Sequence, residues 1–134
     1  MKKYLCLQKW DFTYNGAGIY YISDEQGKKY IGRAIHIQDR LHQHRRALNR
    51  AAQGMEINCV ENQNLINIAK NGGILKAEIL YKLQENDATE NNFRFYENFF
   101  FNLFGGYKGT YNIAPIYAPV WNYKPNNEPL KTNN

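Results

Sequence analysis

Two three-residue runs, Gly18-Ile19-Tyr20 and Tyr30-Ile31-Gly32, mirror each other across the nine residues that separate them. Each sets a tyrosine, an isoleucine and a glycine in strand-forming company, and Tyr21-Ile22-Ser23 extends the first run. Between them, Asp24-Glu25-Gln26-Gly27 and Lys28-Lys29 supply turn chemistry. The pattern predicts a β-hairpin folded about Glu25-Gln26-Gly27, which brings Tyr20 and Tyr30 near each other. A packed aromatic pair in a sheet, worth up to ~1 kcal/mol, has this composition. So does one wall of a binding site, and the hairpin alone leaves both open.

The hairpin must be closed by the elements that follow it. Ile37 to Ala52 reads as a helix with Ile37, Leu41 and Leu48 on one stripe, ended by Gln53-Gly54. After a polar loop, Asn62 to Lys70 forms a shorter helix closed by Asn71-Gly72-Gly73. Ile74 to Tyr81 is the third strand, with imperfect alternation. Asp87-Ala88-Thr89-Glu90 is a capping-box pattern opening a long helix through Phe104, and Gly105-Gly106 ends it. Tyr111-Asn112-Ile113-Ala114-Pro115 follows. The order β-β-α-α-β-α predicts an α+β fold: a small, mostly antiparallel three-stranded sheet flanked by helices.

The 134 residues fit one domain over 1–117, and a Pro- and Asn-rich tail over 118–134 is expected to be extended or disordered. Trp121 and Tyr123 in that tail suit packing on the domain or stacking on a base, and packing is the commoner use. No run approaches the ~20 apolar residues of a membrane helix. The opening Met1 to Leu7 resembles a signal peptide, but Gln8 and Lys9 cut its apolar stretch short. Cys6 and Cys59 suggest neither a disulfide framework nor a zinc site. The expectation is a reduced, cytoplasmic protein, associated with the nucleoid if cellular.

The net charge of +5 is local: Lys28 to Arg50 carries +6 and the remainder −1. Lys28, Lys29, Arg33, Arg45, Arg46 and Arg50 are the candidate nucleic-acid contacts in this segment. A solvated helix face has the same composition.

Two further features are anomalous. Arg40 and His44 stand at i, i+4, on a face about 100° from the Leu41 stripe, so they are expected to flank the core. A guanidinium and an imidazole beside two tyrosines suit a phosphodiester. His36 and His42 have no such placement and read as peripheral. Glu97 lies on the apolar stripe of Phe93, Phe100 and Phe104 in the long helix. A carboxylate there is costly unless paired or metal-bound, although the edge of such a stripe is also an ordinary place for one. One carboxylate without a His or Cys cluster suits Mg²⁺ rather than zinc.

Together these residues resemble the GIY-YIG nuclease family over Gly18 to about Pro115. Tyr20 and Tyr30, then Arg40 and His44 on the first helix, Glu97 on a later helix and Asn112 after it match the family's site in order. The blocks Tyr96-Glu97-Asn98-Phe99-Phe100 and Tyr111-Asn112-Ile113-Ala114 resemble its later motifs.

The resemblance implies hydrolysis of DNA phosphodiester bonds with one Mg²⁺ (or Mn²⁺) held by Glu97. Tyr20 is the expected general base. A free phenol of pKa ~10 would need nearby cations and a proton relay to His44. Arg40 would neutralise phosphate oxygens, Tyr30 would support phosphate or water, and Asn112 would brace the site. Gly18 would permit close packing, and Gly32 would let the backbone turn beside the site. The alternative is a non-catalytic or weakly active nucleic-acid-binding module on the same fold. With 17 residues ahead of Gly18, the expectation is a stand-alone nuclease, a homodimer or the partner of a separate DNA-recognition subunit. Specificity would come from the Gln53–Gln63 loop, the helix arginines and the tail, in a phage, mobile-element, restriction or repair setting.

Overall fold

A computed structural model describes residues 7–8, 13–57 and 61–113. The readings for Cys6, Cys59, Trp121, Tyr123 and the tail from 118 lie outside the described residues.

The hairpin forms as its sequence requires. Strands β2 (Ala17–Ser23) and β3 (Lys29–Ala34) pair antiparallel, with Tyr20 opposite Gly32 and Ile22 opposite Tyr30. Tyr20 and Tyr30 therefore share one face of the sheet. The turn is locked by Asp24, whose carboxylate accepts from the Gln26 and Lys28 amides at 3.0 and 2.9 Å. Strand β4 (Leu75–Leu83) pairs antiparallel with the other edge of β2. These three strands and their helices make the α+β architecture that the sequence predicts. A two-residue strand β1 (Leu7–Gln8), unforeseen in the sequence, adds a parallel contact to β4, giving the order β1-β4-β2-β3.

The imperfect alternation of the third strand has a physical cause. Ile19 stands opposite Tyr81 while Tyr20 stands opposite Ile79, so β4 carries one extra residue at that point. This bulge reverses the side-chain phase. Leu75, Ala77 and Ile79 pack on the face of Tyr20 and Ile22, whereas Tyr81 and Leu83 join Ile19 and Tyr21 on the other.

Helices cover both faces. Helices α1 (Ile37–Ala52) and α2 (Gln63–Lys70) bury Ile37, Leu41, Leu48 and Leu65 against the Tyr20 face. Helix α3 (Glu90–Leu103) lays Phe93, Tyr96 and Phe100 on the opposite face. The cap of α3 differs from expectation. Asp87 belongs to a 3₁₀ turn (Glu85–Asp87), and Thr89 accepts from the Asn92 amide at 3.2 Å instead. Proximity decides it, because Thr89 directly adjoins the first helical residue. Gly105 (φ 101°) stops α3, and a one-turn helix α4 (Gly106–Gly109) leads to Thr110 and Tyr111. That segment covers β3, the sheet edge, through the Tyr111 amide bonded to the Lys29 carbonyl at 2.8 Å.

Gly18 and Gly32 are structural for a common reason. A Cβ at Gly18 would lie 2.2 Å from the Tyr81 carbonyl oxygen, so close strand packing requires glycine there, as expected. A Cβ at Gly32 would lie 2.4 Å from the Tyr20 ring. Gly32 sits in mid-strand, so it does not turn the backbone as expected; it makes room for the tyrosine.

Candidate active site

The site is built outward from a histidine. His44 on α1 is fully buried (0 % exposed), contrary to the expectation that it would merely flank the core. His44 stands three residues after Leu41 and four before Leu48, so it continues their stripe into the core, where Glu61, just ahead of α2, and the rings of Tyr20 and Tyr30 cover it. Nε2 of His44 lies 2.7 Å from the Tyr20 hydroxyl. Its Nδ1 lies 2.8 Å from both carboxylate oxygens of Glu61. The rings of Tyr20 and Tyr30 approach the imidazole edge-on, at 5.6 and 5.9 Å between centroids.

Tyr20 is buried to 1 % exposure, and burial pushes its phenol well above the ordinary value. Arg40 pulls in the opposite direction, while Tyr30, Glu61 and Glu97 add to the rise. The cations expected to lower this phenol are therefore outweighed by desolvation. The Tyr30 phenol is likewise raised by burial, with Arg40 lowering it and Glu61 and Glu97 raising it. Arg40 and Glu97 thus act electrostatically on both phenols, although they stand on helices that cover opposite faces of the sheet. Arg40 is half-buried, and its guanidinium donates to Gln43 Oε1 at 3.1 Å.

Glu97 is 14 % exposed on α3, and burial raises its carboxyl to about 7, with Arg33 lowering it and Glu90 raising it. Arg33 gives it little relief: its Nε is 3.9 Å from Glu97, whereas its Nη1 donates to Glu90 at 2.9 Å. Glu90 is held low chiefly by that hydrogen bond. A desolvated carboxylate with so distant a counter-ion suits a divalent cation that completes its shell with water and substrate oxygens. Among the described residues no three His, Cys, Asp or Glu side chains group as metal ligands, so a closed zinc-type cage is not formed there.

Asn112 is buried and braces β3. Its amide donates to the Ile31 carbonyl and accepts from the Ile31 amide, both at 2.9 Å, fixing the strand between Tyr30 and Gly32. Asn112→Ala should lower stability by about 2 kcal/mol, because two main-chain groups lose their partner. Denaturant unfolding measures this, and a change below roughly 0.5 kcal/mol would contradict the bracing role.

The basic residues differ in their surroundings. Arg45 and Arg46 are exposed on α1, and Arg50 donates to the Glu56 carbonyl at 2.8 Å. Lys28 lies over the Tyr111 ring and Lys29 over Tyr21 and Phe104, and Arg33 is engaged with Glu90. His36 and His42 are exposed, as expected of peripheral residues. A cavity of about 670 Å³ lined by Tyr14, Gly16, His36, Lys82 and Glu85 includes none of the six matched positions.

Glu61 is the residue that sequence reasoning missed. It stands 17 positions after His44, in a polar loop, with no periodic relation to it. The one available signal was its place directly before Asn62, whose side chain caps α2 by accepting from the Asn64 and Leu65 amides. Compared with family models, curated proteins and solved structures, the chain matches none.

Proposed function

We propose that this protein is a metal-dependent endonuclease of the GIY-YIG type that hydrolyses DNA phosphodiester bonds. One observation carries the reading: Tyr20 and Tyr30 share a sheet face around His44, whose Nε2 lies 2.7 Å from the Tyr20 hydroxyl. The order of the matched residues in the sequence supports it independently.

Glu97 would hold Mg²⁺ or Mn²⁺, which when bound supplies positive charge to the scissile phosphate and the departing 3′ oxygen. Tyr20 accepts a proton from the attacking water and relies on His44, 2.7 Å away, because burial keeps its own phenol from ionising. Arg40 neutralises phosphate oxygens, and Tyr30 donates to the phosphate or the water. Arg45 and Arg46, exposed on α1, carry the flanking DNA backbone. Arg33, Lys28, Lys29 and Arg50 would join them by exchanging their present partners for phosphate. DNA is the partner in this reading, in the cytoplasm, with a second copy or a recognition subunit adding affinity. No helix among the described residues is long and apolar enough to cross a membrane.

The test is nicking of supercoiled plasmid with and without Mg²⁺, paired with a DNA-binding measurement. Tyr20→Phe should reduce Mg²⁺-dependent nicking by about 100-fold or more while leaving DNA affinity within about twofold. Binding without nicking by the wild type would favour the non-catalytic module instead. Equal nicking by both proteins would reject Tyr20 as the base.

A further inference from the structure

The contact between His44 and Glu61 goes beyond the residues that the nuclease reading uses, and it rests on that reading. A carboxylate can only accept hydrogen bonds, so the nitrogen facing both Glu61 oxygens at 2.8 Å is the one that bears a proton. In the neutral ring this leaves Nε2 as an acceptor, directed at the Tyr20 hydroxyl at 2.7 Å. We infer that Glu61 is a positioning residue that fixes the His44 tautomer and holds the imidazolium formed when Tyr20 passes on its proton.

Three observations support this role. Both side chains are 1 % exposed, so the carboxylate has lost its water and has the imidazole as its main partner. Such a pair is a poor way to gain stability, because desolvation offsets most of the attraction. The carboxylate is also held in place: its Oε1 accepts from the Asn62 amide at 3.1 Å. Asn62 caps α2 and donates to the Tyr111 carbonyl at 2.8 Å, which ties Glu61 to the segment bearing Asn112.

The proton transfers balance without another co-reactant. As the water oxygen bonds to phosphorus, its O–H breaks and the proton goes to the Tyr20 oxygen. The phenol's own proton passes to His44 Nε2, and the P–O3′ bond breaks with its electron pair on the 3′ oxygen, which solvent protonates. Tyr20 stays neutral throughout, and the positive charge appears between it and Glu61.

The experiment combines ¹⁵N histidine NMR with single-turnover cleavage. With three histidines in the chain, the His44 signals are assigned by comparison with His44→Ala. In the wild type, His44 should appear as one neutral tautomer protonated at Nδ1. Protonation at Nε2 would overturn the inference from this spectrum alone, whether or not the protein cuts DNA. Glu61→Leu should release the tautomer and lower cleavage about 100-fold, and Glu61→Asp should recover most of the loss. Glu61→Gln should keep the tautomer yet cut at least tenfold more slowly, since the amide accepts the hydrogen bond without the charge. In a His44→Ala background, Glu61→Gln should change cleavage less than twofold. A full, additive loss in that background would mean that Glu61 does not act through His44. Absence of cleavage by the wild type would reject the nuclease reading, a result separate from the tautomer.

Discussion

Replacing Glu97 with glutamine should abolish Mg²⁺-dependent cleavage and, in metal-free buffer at pH 8, make the folded protein more stable. The loss of activity should be on the order of 1,000-fold, the size expected when a charge-stabilising element of a phosphoryl site is removed. The gain in stability follows from desolvation. The carboxyl is raised from 4.5 to about 7, so the folded chain holds its proton more tightly than the unfolded chain. Stability from this group is complete below about pH 4.5 and is lost as pH rises through about 7. The penalty at pH 8 amounts to about 3 kcal/mol, and the neutral amide escapes it. Urea unfolding of both proteins at pH 8 and pH 4, each with a chelator present, checks this. The advantage of Glu97→Gln should shrink towards zero at the lower pH. A variant less stable than wild type at pH 8 would mean that Glu97 is a structural carboxylate satisfied by Arg33.

The two glycines should fail in different ways when given a methyl group. Gly18→Ala places a Cβ 2.2 Å from the Tyr81 carbonyl oxygen, which belongs to the β4 backbone. Neither strand can retreat without breaking the ladder, so the expected loss is on the order of 3 kcal/mol or more, enough to unfold a marginal domain. Gly32→Ala instead meets the Tyr20 ring at 2.4 Å. The ring must shift, and its hydroxyl then loses the 2.7 Å contact with His44. That variant should stay folded, with a cost of about 1–3 kcal/mol, while cleavage falls about 100-fold. Circular dichroism with plasmid nicking separates the cases, and a folded, fully active Gly32→Ala would detach Tyr20's placement from the chemistry.

Much of the fold was legible because it is written in local patterns. The hairpin, α1 from Ile37 to Ala52, the end of α2 at Lys70 and the stop at Gly105 follow from periodicity and end chemistry that neighbouring residues supply. The cap of α3 lies two residues beyond Asp87, because several polar residues in a row offer competing caps. Strand β1 was not legible: two residues carry no period, and their pairing with Leu75 and Lys76 is decided across the chain. The β4 bulge was visible only as a broken alternation, without the partner register that explains it.

The site divides along the same line. Sequence alone determined which residue types were present and in what order: two tyrosines in a hairpin, Arg40 and His44 one helical turn apart, Glu97 in an aromatic helix and Asn112 beyond it. It also brought Tyr20 and Tyr30 near each other in one hairpin, but that they share a face depends on the register that sets Ile22 opposite Tyr30. Only the tertiary structure decided what His44 is buried against, that Gly32 is the space for a ring, and that Arg33 is engaged by Glu90. It alone brought Glu61 to His44. The physical reason is that long-range pairing arises from the packing of elements distant in the chain, which no local spacing encodes.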